Sequence, residues 1–175
     1  ALATPSLAIS CAAREALPPL LSHAARLLLD ADALNAIATD TGLQHLLKAR
    51  ASKGLSTLLT PHPLEAARLL GCDTPTVQSD RLRAATRLAV HFQCGVVLKG
   101  SGTVIAMPGH ELGVDPAGNA RLASGGTGDV LAGWIGGQWS AATVSGGNDV
   151  VAQARAAAIS AVWAHGIAAE QQGLR

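Results

Sequence analysis

Apolar and polar positions fall in blocks along this chain. Leu27, Leu28 and Leu29 stop at Asp30, residues 55–59 stop at Thr60, and residues 95–98 stop at Lys99. Short apolar runs of this kind read as buried strands, here with their polar ends facing a cleft. Between them, helical spacing covers residues 33–51, 63–70 and 76–92, the last with Leu82, Ala85, Leu88 and Ala89 on one face. Strand, helix, strand, helix, strand predicts a parallel sheet covered by helices.

Residues 103–107 and 111–114 are β-rich and separated by Pro108-Gly109-His110, a turn signal, so a hairpin is expected beside the main sheet. Residues 118–124 read as one more short strand, and residues 127–139 and 149–171 as two alanine-rich closing helices. The intervening residues 145–148 are loop, with Asn148 or Asp149 as the cap of the last helix. Upstream, residues 6–29 supply only a helix and a strand. No internal repeat is present, and alanine richness alone signals abundant helix.

Composition narrows the class. With 175 residues, 49% hydrophobic and 14% charged, the chain can bury one sizeable core and is expected to form one domain over residues 1–175. Thirteen Lys+Arg against 12 Asp+Glu give a formal net charge of +1 without a like-charge run, which argues against nucleic acid or a membrane surface as partner. One Phe, three Trp and no Tyr leave no platform for stacking bases. Cys11, Cys72 and Cys94 are distant from one another, odd in number and lack a CxxC pair, so neither a disulfide framework nor a zinc site is expected. No apolar stretch reaches membrane-spanning length, and residues 1–5 lack the basic region of a signal peptide. A cytoplasmic protein in a reducing compartment is the expectation.

The most informative segment is Gly125-Gly126-Thr127-Gly128-Asp129-Val130-Leu131-Ala132-Gly133, a glycine loop running into an apolar helix. Glycines allow close backbone approach, and the first amides of a helix are unpaired donors at its positive end, so a phosphate fits there. Asp129 reads in two ways, as a first-turn carboxylate favouring the helix dipole or as a base accepting a substrate hydroxyl proton while nearby amides stabilise a transferring phosphoryl group. No GxxxxGK[ST] is present, and neither Gly126-Thr127-Gly128 nor Gly100-Ser101-Gly102 completes GxGxxG before a helix, which disfavours P-loop and dinucleotide-fingerprint enzymes.

Thr60-Pro61-His62-Pro63-Leu64-Glu65, Val97-Leu98-Lys99-Gly100-Ser101-Gly102-Thr103, Gly118-Asn119 and residues 122–133 resemble, in order, the motifs of the NAD(P)H-hydrate dehydratases of the ribokinase-like superfamily. Residues 29–35 look like that family's upstream strand-end motif. The resemblance implies a three-layer α/β/α sandwich with a mostly parallel central sheet. It also implies repair of hydrated NADH or NADPH driven by ADP or ATP, by phosphoryl transfer to the hydrate hydroxyl and elimination of phosphate. By that resemblance His62, Asn35 and Asp129 contact the hydrate, and Asp129 is the base beside the amides of Gly126, Thr127 and Gly128. Lys99, Gly100, Ser101, Gly102, Thr103 and Gly128 hold the nucleotide, and Glu65 organises Mg2+ through water. A homotetramer is implied as well, while fusion to an upstream NAD(P)H-hydrate epimerase domain stays open.

Plainer readings stand beside these. His62 between two prolines is also a rigid turn residue, Lys99 a snorkelling lysine, and Glu65 a first-turn helix carboxylate. Asp32 is expected to cap the helix beginning at Ala33, and Asn119 is a turn residue or a cleft residue. His23, His45, His91, His110 and His165 show no ligand spacing. Trp134, Trp139 and Trp163 are expected as core or helix-packing residues, and the cysteines as small buried hydrophobes. Relative to the family, the N-terminal section with its first strands and glycine-rich substrate contacts is absent, so weak or no catalysis is expected of these 175 residues alone. A small-molecule alcohol kinase acting on a hydroxymethylpyrimidine, a thiazole alcohol or a sugar, and a non-catalytic nucleotide-binding module, are the alternative functions.

Overall fold

The computed structural model describes residues 11–142 and 149–171. Its five strands are β1 (Arg26–Leu29), β2 (Ser56–Leu59), β3 (Gly95–Leu98), β4 (Thr103–Ala106) and β5 (Gly113–Asp115), in the sheet order β1-β2-β3-β4-β5. The first three pair in parallel, with Leu28 opposite Leu58 and Leu59 opposite Val96. The hairpin expected around Pro108-Gly109-His110 extends the same sheet, because β4 runs antiparallel to both β3 and β5. Only β4 therefore opposes the common strand direction.

Eight α-helices are described: α1 (Cys11–His23), α2 (Asp32–Thr39), α3 (Thr41–Ser52), α4 (Pro63–Leu70), α5 (Thr74–Ser79), α6 (Arg81–Phe92), α7 (Thr127–Ala141) and α8 (Val150–Gln171). Alternation along the strands sorts them into layers, since successive side chains point to opposite faces. Leu59, Val96, Leu98, Val104 and Ala106 pack with Leu34, Ile37, Leu47, Leu88 and Phe92 from the early helices. Leu58, Val97, Ile105 and Met107 pack instead with Leu131, Ile135, Trp139, Ala158 and Val162 from α7 and α8. Burial on both faces is why the strands read as continuous apolar runs.

Several expectations need correction. The helix expected over residues 33–51 is two helices, because the Asp40 side chain accepts from Leu43 N at 3.1 Å and starts α3 afresh. Residues 76–92 likewise divide at Asp80, whose carboxylate accepts from Arg83 N at 2.9 Å and caps α6. Residues 118–124 are not a strand but contain a 3-10 helix, Ala120–Ala123, because the Asn119 side chain bonds locally to Arg121 N at 3.0 Å. Asp32 is the first residue of α2 and makes no cap bond. Asp149 does cap α8, accepting from Val151 N and Ala152 N, both at 3.0 Å. Asn148 and the loop at residues 145–148 lie outside the described residues, as do residues 6–10.

Trp139 is a core residue, Trp134 packs α7 against His165 of α8 while 40% exposed, and Trp163 is 57% exposed. Cys94 is buried and Cys72 partly so, while the Cys11 side chain lies outside the described residues. Burial pushes the Cys94 thiol up to about 12, which keeps it protonated and inert. Arg50 is fully buried and makes hydrogen bonds through all its nitrogens: Nε to Thr57 Oγ1, Nη1 to the carbonyls of Leu20 and Leu21, and Nη2 to those of Ala24 and Ser56. It ties the end of α1 to β2. No helix among the described residues is long and apolar enough to cross a membrane.

Candidate functional site

The parallel strands β1, β2 and β3 end side by side, which brings Asp30, the segment 60–62 and Lys99 to one edge of the sheet. Ligands of open α/β sheets bind beyond such carboxyl ends. Thr60 is buried and bonds Leu29 O through both its amide (3.1 Å) and its hydroxyl (3.3 Å), and Lys99 N donates to Pro61 O at 2.8 Å. Lys99 Nζ lies 2.6 Å from Asp30 Oδ1, which also accepts the Ala31 amide at 2.9 Å. Ala31 has φ 48° and ψ −115°, a disfavoured backbone for a residue with a Cβ. Strain of this kind concentrates at functional sites.

His62 is the N-cap of α4. Its Nδ1 accepts from Leu64 N at 3.2 Å and Glu65 N at 3.3 Å, so in the neutral ring the proton sits on Nε2. The buried Glu65 answers with Oε2 accepting His62 N at 2.8 Å and Oε1 lying 3.3 Å from Nε2. Glu65 makes the contacts of a first-turn carboxylate in a capping box, with both oxygens facing His62. Asn35 lies in the first turn of α2, and its Oδ1 accepts from Arg68 Nη1 of α4.

The glycine loop does run into a helix. Gly126, at φ 87°, occupies the N-cap of α7 and offers no side-chain cap, so first-turn amides remain as donors. The Thr127 hydroxyl bonds Leu122 O at 2.7 Å and Ser124 O at 2.8 Å, and its amide donates to Ser124 O at 3.4 Å, which secures the loop ahead of Gly128. Gly128 sits against the ion pair: a Cβ there would fall 3.4 Å from Lys99 Nζ and 3.9 Å from Asp30 Oδ2. Asp129, in the same turn, is exposed.

A cavity of about 430 Å³ joins the Lys99 loop to the start of α7. Residues 99–103 form one wall, Thr127, Gly128 and Leu131 another, and residues 116–120 with Val162, His165 and Gly166 of α8 the rest. His62, Asn35, Glu65, Gly126 and Asp129 are not among its lining residues. A groove of about 530 Å³ between α4 and α6, lined by Leu69, Arg87 and His91, contains none of the strand-end groups and is not the site.

Sequence reasoning missed the α8 wall and Arg81. Gly166 lets α8 approach the loop so closely that a Cβ would lie 2.7 Å from Ala117 Cβ and 2.8 Å from its carbonyl carbon. Glu170 Oε1 accepts Gly118 N at 2.8 Å, and Asn119 Nδ2 donates to Ala169 O at 2.9 Å. Asn119 is therefore both the turn residue and the cavity residue. The available signal was a glycine inside an alanine-rich helix, costly unless packing requires it. His165 packs edge-on against Trp134, with ring centroids 6.0 Å apart. Burial lowers its pKa below the usual 6.5, opposed by a hydrogen bond to the Thr127 backbone.

Among the described residues no group of three or more His, Cys, Asp or Glu side chains is placed to hold a metal ion. With Glu65 engaged and Asp30 Oδ1 shared with Lys99, the donor set suits magnesium only in its usual manner, through phosphate oxygens, water and one or two carboxylates.

The chain is 45% identical over 143 residues to the ADP-dependent (S)-NAD(P)H-hydrate dehydratase of Neisseria meningitidis, covering 82% of this chain and 44% of that protein. It is 48% identical over 110 residues to the bifunctional NAD(P)H-hydrate repair enzyme Nnr of Escherichia coli, covering 63% of this chain and 19% of that one. Among solved structures it resembles the ADP/ATP-dependent NAD(P)H-hydrate dehydratase of Bacillus subtilis co-crystallised with ATP/Mg2+, with TM-score 0.63 and 33% identity over 83% of this chain and 46% of the other. A ribokinase-like superfamily protein of Enterococcus faecalis, 22% identical with TM-score 0.55 over 91% of this chain and 60% of its own, shares the fold. The chain spans less than half the length of the Neisseria, Escherichia and Bacillus relatives. Its mostly parallel sheet between helical layers is the ribokinase-like fold, and over residues 7–173 it belongs to the NAD(P)H-hydrate dehydratase family.

Proposed function

We propose that this chain carries the nucleotide-binding and phosphoryl-transfer part of a dehydratase that restores hydrated NADH and NADPH at the expense of ADP or ATP. The observation that carries the reading is the meeting of Lys99 Nζ with Gly128, at the uncapped start of α7, on one cavity. An ammonium and the backbone of Gly128 at the start of a helix, facing the same space, bind phosphate and stabilise charge as a phosphoryl group transfers.

In this reading the nucleotide lies along Lys99, Gly100, Ser101, Gly102 and Thr103, with its terminal phosphate toward Gly128. Asp129 takes the proton of the hydrate hydroxyl, whose oxygen attacks the terminal phosphorus, and AMP or ADP departs. The carbon–oxygen bond of the phosphate ester then breaks with loss of a ring proton, releasing phosphate and reduced nicotinamide. His62, a half-exposed ring held by Glu65, packs against the hydrate, and Asn35, whose oxygen is engaged by Arg68, offers its amide N–H. We assign Glu65 to holding His62, since it is buried and both its oxygens face that residue. Magnesium, when bound, neutralises phosphate charge. A cytoplasmic location, supported by cysteines without a disulfide pattern, and assembly as a homotetramer, supported by the family resemblance, belong to the same reading.

The test is recovery of reduced-nicotinamide absorbance when the full-length protein meets hydrated NADH, magnesium and ADP or ATP. Nucleotide-dependent recovery is expected, and Asp129→Asn should lower turnover about 10²- to 10⁴-fold with little change in nucleotide affinity. Nucleotide binding without recovery would overturn the dehydratase, in favour of a kinase if a stable phosphorylated alcohol forms with another substrate.

A further inference from the structure

Arg81 opens α6, yet its guanidinium is directed at the backbone around residues 99–103. Nη2 donates to Leu98 O at 3.1 Å, Gly102 O at 3.1 Å and Lys99 O at 3.4 Å, and Nη1 to Lys99 O at 3.5 Å and Gln78 Oε1 at 3.0 Å. Its side-chain partner, Gln78, is neutral, so its charge is not cancelled there.

A trans peptide sets its C=O and its N–H on opposite sides. Carbonyls of Leu98, Lys99 and Gly102 turned onto Arg81 therefore turn the amides of Lys99, Gly100 and Thr103 away from it. The Lys99 amide is taken by Pro61 O at 2.8 Å, which fixes the orientation from the other side. The loop also lies directly on the guanidinium: at Gly100 a Cβ would fall 2.7 Å from Arg81 Nη1, and φ there is +143°. Glycine meets both demands, of space and of backbone conformation.

We propose that Arg81 is a positioning residue for the phosphates of a bound nucleoside di- or triphosphate, holding the 98–103 backbone in its binding form and placing a positive charge behind it. This rests on the reading of the cavity as a nucleotide site. Four of the guanidinium's contacts, one from Nη1 and three from Nη2, are charge-assisted bonds to the carbonyls of Leu98, Lys99 and Gly102, and a lysine ammonium at the same position would lack the planar fork that presents both nitrogens to them.

The experiment measures ADP affinity by calorimetry, and nucleotide KM and kcat, in the full-length protein. Wild type, Arg81→Lys, Arg81→Ala, and Arg81→Ala with millimolar guanidinium added would be compared. Arg81→Ala should raise Kd and KM about tenfold or more while kcat changes less. Arg81→Lys should recover part of the loss, and guanidinium should restore affinity in Arg81→Ala alone. A variant that was merely destabilised would be weakened further by guanidinium, a denaturant. Unchanged Kd in Arg81→Ala, or loss without rescue, overturns the proposal. Should Arg81→Ala not fold, Gly100→Ala tests the same contact from the loop, and an unchanged Kd there overturns it equally. Failure of wild type to bind ADP or ATP would instead remove the nucleotide reading itself.

Discussion

Lys99 Nζ donates to Asp30 Oδ1 at 2.6 Å, joining the ends of β3 and β1 across 69 residues of sequence. The two side chains are 19% and 13% exposed, so the ammonium is held in place before any anion arrives. Ordering a lysine side chain costs up to about 2 kcal/mol, and doing so during folding removes that cost from binding. The carboxylate has a second effect, because it competes with a phosphate for the same charge.

These two effects separate in mutants. Lys99→Met should raise the Kd for ADP about tenfold or more, equivalent to ~1.4 kcal/mol. Asp30→Asn keeps an oxygen for the Ala31 amide while removing the competing charge, so ADP affinity should hold or rise as turnover falls. Equal loss of affinity in both variants would show that the pair acts only as a structural tie.

Gly166→Ala sets helix propensity against packing. In an exposed helix the change would stabilise by about 1 kcal/mol. Here the new methyl would lie within 3 Å of Ala117, whose loop lines the cavity, so a lower Tm and weaker nucleotide binding are expected. A raised Tm in a thermal melt would contradict the close approach of α8 to that loop.

Arg50 is a cation buried with carbonyl and hydroxyl partners. Arg50→Met should destabilise by at least ~3 kcal/mol, because several buried acceptors lose their donors at about 1–3 kcal/mol each. Arg50→Lys should recover little, since one ammonium does not span α1 and β2. Chemical denaturation measures both, and a loss below about 1 kcal/mol in Arg50→Met would show that these acceptors find water.

Stability should depend on pH through His165 and His91. Burial lowers both below the ordinary 6.5, with Lys48 and Arg87 adding repulsion at His91. An unfolded chain then binds more protons than the folded one between the depressed values and 6.5, so stability rises with pH across that window. Tm should be level above about pH 6.5 and fall below it. The double variant His91→Gln, His165→Gln should flatten that fall, and an unchanged profile would assign it to other groups.

The sequence by itself determined the three parallel strands, because their packed interior positions leave short apolar runs that end at Asp30, Thr60 and Lys99. It also determined the glycine loop and the helix that follows it, since backbone approach and unpaired first-turn amides are local properties. Its helix boundaries failed where Asp40 and Asp80 cap new helices inside an unbroken apolar period, a local hydrogen bond that periodicity does not register. The strand expected at residues 118–124 failed for the same reason, through Asn119.

Only the tertiary structure decided which groups meet. Gly166 on Ala117 depends on how α8 crosses the loop before the 3-10 helix, and Arg81 on the 98–103 carbonyls depends on how α6 packs against β3 and β4. Periodicity reports which face of an element is buried, whereas the site is made of contacts between elements remote in sequence, and those follow from the order and crossing of the packed layers.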